Sequence, residues 1–114
     1  MAIDAQSLNH KAVLDTMLLA IPGVEAGEMG GFPAYFVKQK MFACIYRGAV
    51  GLRLSTAAAA NLQFSMDGVG PFSPNGQSST REWVQISRDN SAEYEKILDT
   101  FKASIEFVKT AKPR

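Results

Sequence analysis

Three short segments rich in aromatic and aliphatic residues lie close together in the middle of the chain, separated by only two or three residues. They are Ala34–Lys38, Met41–Tyr46 and Val50–Leu54. Parallel strands need a crossover of a dozen or more residues, whereas antiparallel strands can be joined by a tight turn. These segments therefore predict antiparallel hairpins and argue against a parallel βαβ sheet. Val24–Glu28 is a further candidate strand, and Gly30-Gly31 permits a turn after it.

Helical patterns flank this strand-rich block. Apolar residues at helical spacing predict a first helix from Asp4 or Gln6 to Ala20, and Pro22-Gly23 cannot continue it. After the strands, four consecutive alanines within Thr56–Phe64 favour a short second helix.

The C-terminal half adds a loop, a strand and a final helix. Glycine, proline and serine predict an irregular loop over Asp67–Ser79, and Arg81–Ser87 has the residues of a strand. Ser55 and Asn90 are expected to be N-caps of the second and last helices. The apolar stripe of the last helix is Tyr94, Ile97, Leu98, Phe101, Ile105 and Val108.

These elements predict a single α+β domain over residues 1–114. The expected order is a helix, three or four strands, a helix, a strand and a final helix, with the helices on one face of an antiparallel sheet. A chain of 114 residues, 46% of them hydrophobic and 20% charged, can bury a core without a metal or a disulfide.

Composition also limits the possible locations and partners. The net charge is only +1, whereas a strongly basic nucleic-acid binder usually has a larger excess of cations. The single cysteine fits a reducing compartment. The first residues lack the pattern of a secretory signal, and no apolar run is long enough for a bilayer. We therefore expect a cytoplasmic protein without a membrane segment.

Residues suited to catalysis are few. His10 is the only histidine, and we expect it on or near the exposed side of the first helix, as a solvated or packing residue. Cys44 lies within an apolar strand, which favours a buried, inert thiol over a nucleophile. One histidine and one cysteine give no zinc-ligand spacing. The sequence predicts a protein that is not an enzyme, with no catalytic residues, no cofactor and no metal.

A more informative pattern concerns the faces of the sheet. Met41–Tyr46 is apolar on both sides, so the side away from the helices must meet another layer, a ligand or a second copy. Trp83 raises the same question, because it should face away from Val84 and Ile86. Trp83 is either an interface anchor or covered by the chain's own loop and terminal segments.

Basic residues near the hairpins suggest an alternative partner. Together with Trp83 they form the candidate interaction surface Lys38, Lys40, Arg47, Arg53, Arg81 and Trp83. Cations beside aromatic rings can contact phosphates and stack on bases. The same cations also fit an ordinary solvated sheet edge.

Five short motifs between Met29 and Ile86 carry a family resemblance. They are Met29-Gly30-Gly31-Phe32, Met41-Phe42-Ala43, Gly51-Leu52-Arg53-Leu54, Gly70-Pro71-Phe72 and Trp83-Val84-Gln85-Ile86. In these motifs the chain resembles the N-terminal domain of TfoX-type competence regulators, over about residues 8 to 110. The Trp-Val strand and closing helix are also similar to the MmcQ/YjbR group, which is related in fold.

The resemblance has two departures. The chain lacks the Phe between the Met and the two glycines, and Asn75-Gly76-Gln77 replaces the family's Gly-Lys. The resemblance implies an α+β domain with a regulatory role, and DNA binding for some relatives, but no catalytic residues.

Three functions follow as hypotheses. The first is a non-enzymatic regulatory or protein-interaction module that self-associates as a homodimer through a sheet face. The second is a DNA-binding domain that uses the basic hairpin residues. The third is an enzyme or small-ligand binder with a pocket under the Gly68–Ser79 loop.

Overall fold

The computed structural model describes residues 5–46, 48–72, 82–88 and 90–110. It confirms the α+β class, with a six-stranded antiparallel sheet and helices in the N- and C-terminal regions. The elements in chain order are α1 (Ala5–Leu18), β1 (Val24–Met29), β2 (Phe32–Val37), β3 (Lys40–Tyr46), β4 (Ala49–Arg53), α2 (Thr56–Ser65), β5 (Val69–Pro71), β6 (Trp83–Ile86), a 3-10 helix (Ser91–Ile97) and α3 (Leu98–Thr110).

The first four strands form the meander that their short connections predict. Gly30 and Gly31 join β1 to β2 with φ of 58° and 88°, and Lys38 and Gln39 join β2 to β3 with φ of 50° and 66°. Two successive residues with positive φ give the type I′ turn that suits a twisted hairpin. The strand order is β1-β2-β3-β4-β6-β5, so β6 pairs with β4 and β5 lies outside β6.

One irregularity interrupts the β2–β3 ladder. Tyr35 pairs with Ala43, but Phe36 pairs with Met41, so Phe42 is an extra residue on β3. Such a β-bulge bends the strand and changes the direction of the side chains near it. Because of this bulge, Phe42 and Ala43 are both buried in the cluster on the helix side of the sheet.

The helices pack on one face of the sheet, as predicted, and build the main core there. Leu14 and Leu18 of α1, Ala59 of α2, and Phe101, Ile105 and Val108 of α3 all belong to one buried cluster. The strands contribute, among others, Tyr35, Val37, Ile45, Val50, Leu52, Val84 and Ile86.

The predicted caps are present. The Ser55 hydroxyl accepts a hydrogen bond from the Ala58 amide at 3.2 Å, and the Asn90 side chain accepts one from the Ala92 amide at 3.0 Å. The last helical segment differs from the prediction, because it begins as a 3-10 helix and becomes α-helical at Leu98. Within the described residues, no helix is both long and apolar enough to cross a membrane.

Candidate interaction surface

The face of the sheet opposite the helices carries its own apolar cluster. Ala34, Cys44, Phe72 and Trp83 are buried in it, and Met29, Phe36, Met41 and Tyr46 pack around them while partly exposed. We call these eight residues, together with Phe32, the second face. Its members come from the strands and from the residue after β5. Among the described residues, no helix contributes to it.

A row of aromatic rings crosses the second face. The ring of Phe32 lies 4.7 Å from that of Tyr46, Tyr46 lies 5.8 Å from Phe72, and Phe72 lies 5.9 Å from Trp83, measured between centroids. The interplanar angles of 58° to 62° give tilted, edge-to-face contacts, which aromatic pairs prefer over a stacked sandwich. The row connects β2, β3 and β6 into one apolar surface.

Two glycines allow aromatic rings to lie against the sheet. A Cβ on Gly51 would lie 2.5 Å from Phe72 Cε2 and 3.0 Å from Cys44 Sγ, and a Cβ on Gly27 would lie 2.8 Å from Phe36 Cε1. Phe72 therefore fills the space above β4 that a side chain at position 51 would take. Phe36 covers β1 in the same way.

Trp83 is covered by the chain's own residues and is not an exposed interface anchor. It faces away from Val84 and Ile86 as predicted, but only 4% of it is exposed. Phe72 lies against its ring. Trp83 thus anchors the second face from inside the chain and does not project from it.

The basic residues of the predicted surface that the structure describes have three different environments. Lys38 is exposed at the β2–β3 turn. The Lys40 ammonium lies 3.3 Å from the Val108 carbonyl oxygen and 3.4 Å from that of Lys109, so it binds the last turn of α3. Arg47 and Arg81 lie outside the described residues.

Arg53 is buried, although the sequence predicts it on the candidate interaction surface. Only 3% of it is exposed, and its guanidinium donates two hydrogen bonds to Glu82 Oε1, at 3.0 and 2.8 Å. The guanidinium also lies 5.5 Å from the centre of the Phe107 ring. A buried, paired guanidinium of this kind holds the ends of β4 and α3 together and is not available to a phosphate.

Strand topology separates the two turns that flank β3. The β2–β3 turn and the β3–β4 turn lie at opposite ends of β3. A strand of seven residues spans roughly 20 Å. Lys38, at the first of these turns, is therefore separated from the second turn by the length of a strand.

His10 was expected on or near the exposed side of α1, but it is buried. None of it is exposed, its Nε2 lies 3.1 Å from the Gly48 carbonyl oxygen, and its ring meets that of Tyr94 edge-on at 4.8 Å. The Tyr94 hydroxyl donates to the Ile86 carbonyl at 3.1 Å. His10 thus links α1 to the β3–β4 turn and the 3-10 helix, which is the packing role.

Cys44 has the buried position that its apolar strand predicts. It is fully buried, and burial raises the pKa of its thiol to about 12, against the opposing effect of a hydrogen bond from the Gly51 backbone. Since the thiolate is the reactive form, this environment suppresses nucleophilic chemistry.

One polar cluster links α1 to β2 and was not predicted from the sequence. The Tyr35 hydroxyl donates to Asp15 Oδ1 at 2.6 Å, and Lys11 pairs with Asp15 Oδ2 at 2.8 Å. Burial raises the pKa of Tyr35, and the hydrogen bond and negative charge of Asp15 raise it further. The four-residue spacing of Lys11 and Asp15 is visible in the sequence, but the contact with β2 is not. This cluster attaches α1 to the sheet.

The described residues contain no group of three or more histidine, cysteine, aspartate or glutamate side chains placed to hold a metal ion. No protein-family model matches the chain, and a search of curated proteins finds no similar sequence. The resemblance to the TfoX N-terminal domain stays a prediction.

Proposed function

We propose that this protein is a non-enzymatic interaction module that associates with a second copy of itself through the second face. The observation that carries the proposal is a continuous apolar surface to which no described helix contributes. Met29, Phe32, Phe36, Met41 and Tyr46 each keep part of their surface exposed there. A regulatory role is what the resemblance to the TfoX N-terminal domain would add.

The chemistry of the surface favours a second copy as the partner. All nine residues of the second face are uncharged, so two copies that meet there across a two-fold axis would form an apolar contact, with Glu25, opposite Phe36, at its edge. Aromatic residues and methionine are also the types enriched at the centres of protein interfaces.

The roles of the reactive side chains support a non-enzymatic module. His10 bonds the Gly48 carbonyl inside the core, and Cys44 is a buried thiol with a raised pKa. Both residues are used for packing, and neither lies where a substrate could reach it.

The test is sedimentation equilibrium over a range of concentrations, comparing the wild type with Phe36→Lys and Met41→Lys. We expect the wild type to associate reversibly and each lysine variant to weaken association at least about tenfold, because a buried charge replaces an apolar contact. Phe64→Lys is the matched control, since Phe64 lies on α2 with 94% of its surface exposed. It makes the same substitution away from the second face and should associate like the wild type.

Circular dichroism melts should show all three variants folded. A wild type that stays monomeric at the highest concentration, or equal weakening by Phe64→Lys, contradicts the proposal.

DNA binding is the weaker alternative. Lys40 and Arg53, two of its five cations, already bind α3 carbonyls and Glu82. A titration of fluorescent duplex DNA decides between the two functions. DNA binding would be favoured over self-association if the affinity falls as salt is added, with a slope that corresponds to several phosphate contacts.

A further inference from the structure

The outer edge of the sheet at β1 is a regular, accessible strand. β1 is the first strand in the sheet order, and its register with β2 runs without a shift from Val24 opposite Val37 to Met29 opposite Phe32. Its four central residues are all exposed. Proline, a bulge or charged side chains, lysine above all, commonly block such an edge; β1 has no proline, lysine or bulge, and its charged residues are Glu25 and Glu28.

The turn geometry shows which backbone groups face outward. In the type I′ turn at Gly30-Gly31, Met29 and Phe32 form the closing hydrogen-bonded pair. Hydrogen-bonded and non-hydrogen-bonded pairs alternate along an antiparallel ladder. Gly27 and Glu25 therefore also bond β2, whereas Ala26 and Glu28 direct their N–H and C=O groups away from it.

Two contacts agree with this assignment. The Val24 amide, which belongs to the outward set, donates to the Ile21 carbonyl at 3.3 Å and not to β2. Pro33, which has no N–H, stands opposite the outward residue Glu28. The β1–β2 ladder needs no donor at that position.

The charge of the strand indicates its partner. β1 carries Glu25 and Glu28 and no basic side chain. A second copy of β1 would bring carboxylates alongside carboxylates, which destabilises cross-strand neighbours. A strand with lysine or arginine opposite these two positions would gain both the ladder hydrogen bonds and two ion pairs.

We infer that the β1 edge binds an extended segment of another protein, as an added strand, through a pattern of two basic residues three positions apart. Main-chain bonds to Ala26 and Glu28 hold the segment, and Glu25 and Glu28 select its cations on opposite faces of the sheet. This inference concerns the sheet edge and does not depend on self-association through the second face.

The experiment is an amide NMR titration with the peptide acetyl-TKVTKV-amide and, as its control, acetyl-TEVTEV-amide. We expect the lysine peptide to bind and to shift the amides of Ala26 and Glu28, with the glutamate peptide at least about tenfold weaker. The double variant Glu25→Lys, Glu28→Lys should reverse this preference.

Ala26→Pro is the decisive variant, because it removes an outward N–H that β2 does not use. It should fold like the wild type in a circular dichroism melt and lose binding of the lysine peptide at least about tenfold. Ala26→Val keeps the N–H and should bind normally.

Three outcomes overturn the inference. They are undiminished binding by a folded Ala26→Pro, amide shifts that map away from β1, and no binding of the lysine peptide at millimolar concentration. If the peptide fails and Ala26→Pro instead abolishes an oligomer of the wild type, the edge accepts a second copy and not a basic strand.

Discussion

Cys44 shows at the scale of one residue how burial sets chemistry. Its pKa rises from the ordinary 9.0 to about 12 in the folded chain. The unfolded chain therefore releases the thiol proton at lower pH than the folded chain does. The thiol's contribution to stability is complete below about pH 9 and is lost as the pH rises toward about 12.

This linkage predicts an alkaline loss of stability that Cys44→Ala removes. Between about pH 9 and pH 10, the wild type should lose about 1 kcal/mol more unfolding free energy than Cys44→Ala loses. Urea denaturation at each pH measures the difference. Tyr35 titrates in both proteins and cancels from the comparison. If the unfolding free energies of the wild type and Cys44→Ala fall equally with pH, the thiol is not shielded from solvent as its buried position implies.

The sequence predicted individual residues well only where their type matched their surroundings. Cys44 in an apolar strand was predicted to be buried, and it is. Arg53 and His10 were expected outside and lie inside. The sequence could not predict this, because their partners Glu82 and Gly48 are distant in sequence. Alternation along β4 indicates which of its residues share a face of the sheet. It does not show that Glu82 and the Phe107 ring cover Arg53.

Among the elements, long periodic segments were predictable and short ones were not. The pattern over Thr56–Phe64 predicted α2 within one residue, and the four meander strands were all identified. β5 was missed, because Val69–Pro71 has only three residues and lies in a segment rich in glycine and proline. Its pairing with β6 depends on the tertiary fold, which local propensity does not contain.

The contact between β3 and α3 gives a prediction at this scale. Lys40 donates to carbonyls in the last turn of α3, where a cation also offsets the negative end of the helix dipole. Lys40→Met should cost about 0.5–1.5 kcal/mol of unfolding free energy in urea denaturation. Lys38→Met is the control, since Lys38 is exposed two residues away and should be nearly neutral. Equal costs would contradict a capping role for Lys40.

On the scale of the whole molecule, two apolar clusters lie on opposite sides of one sheet. Ala43 and Ile45 of β3 belong to the helix-side cluster, while Met41, Cys44 and Tyr46 of the same strand belong to the second face. Neither cluster can lose its strands without disrupting the other. The two layers should therefore behave as one cooperative unit.

The only tryptophan makes this testable. Trp83 reports on the second face by fluorescence, and far-ultraviolet circular dichroism reports mainly on the helices that pack on the other side. The two signals should give coincident urea transitions. An earlier fluorescence transition would mean that the second face unfolds alone.

The Phe72 ring above Gly51 has a consequence for how this sequence can change over generations. A methyl group at position 51 collides with the ring, and a smaller residue at position 72 leaves the middle of β4 uncovered. Either change alone is harmful, whereas a small side chain at 51 combined with a reduced one at 72 removes the collision with the ring and leaves only the 3.0 Å approach to Cys44 Sγ. Positions 51 and 72, although distant in sequence, should therefore covary. Descendants of this protein should change both positions together or neither.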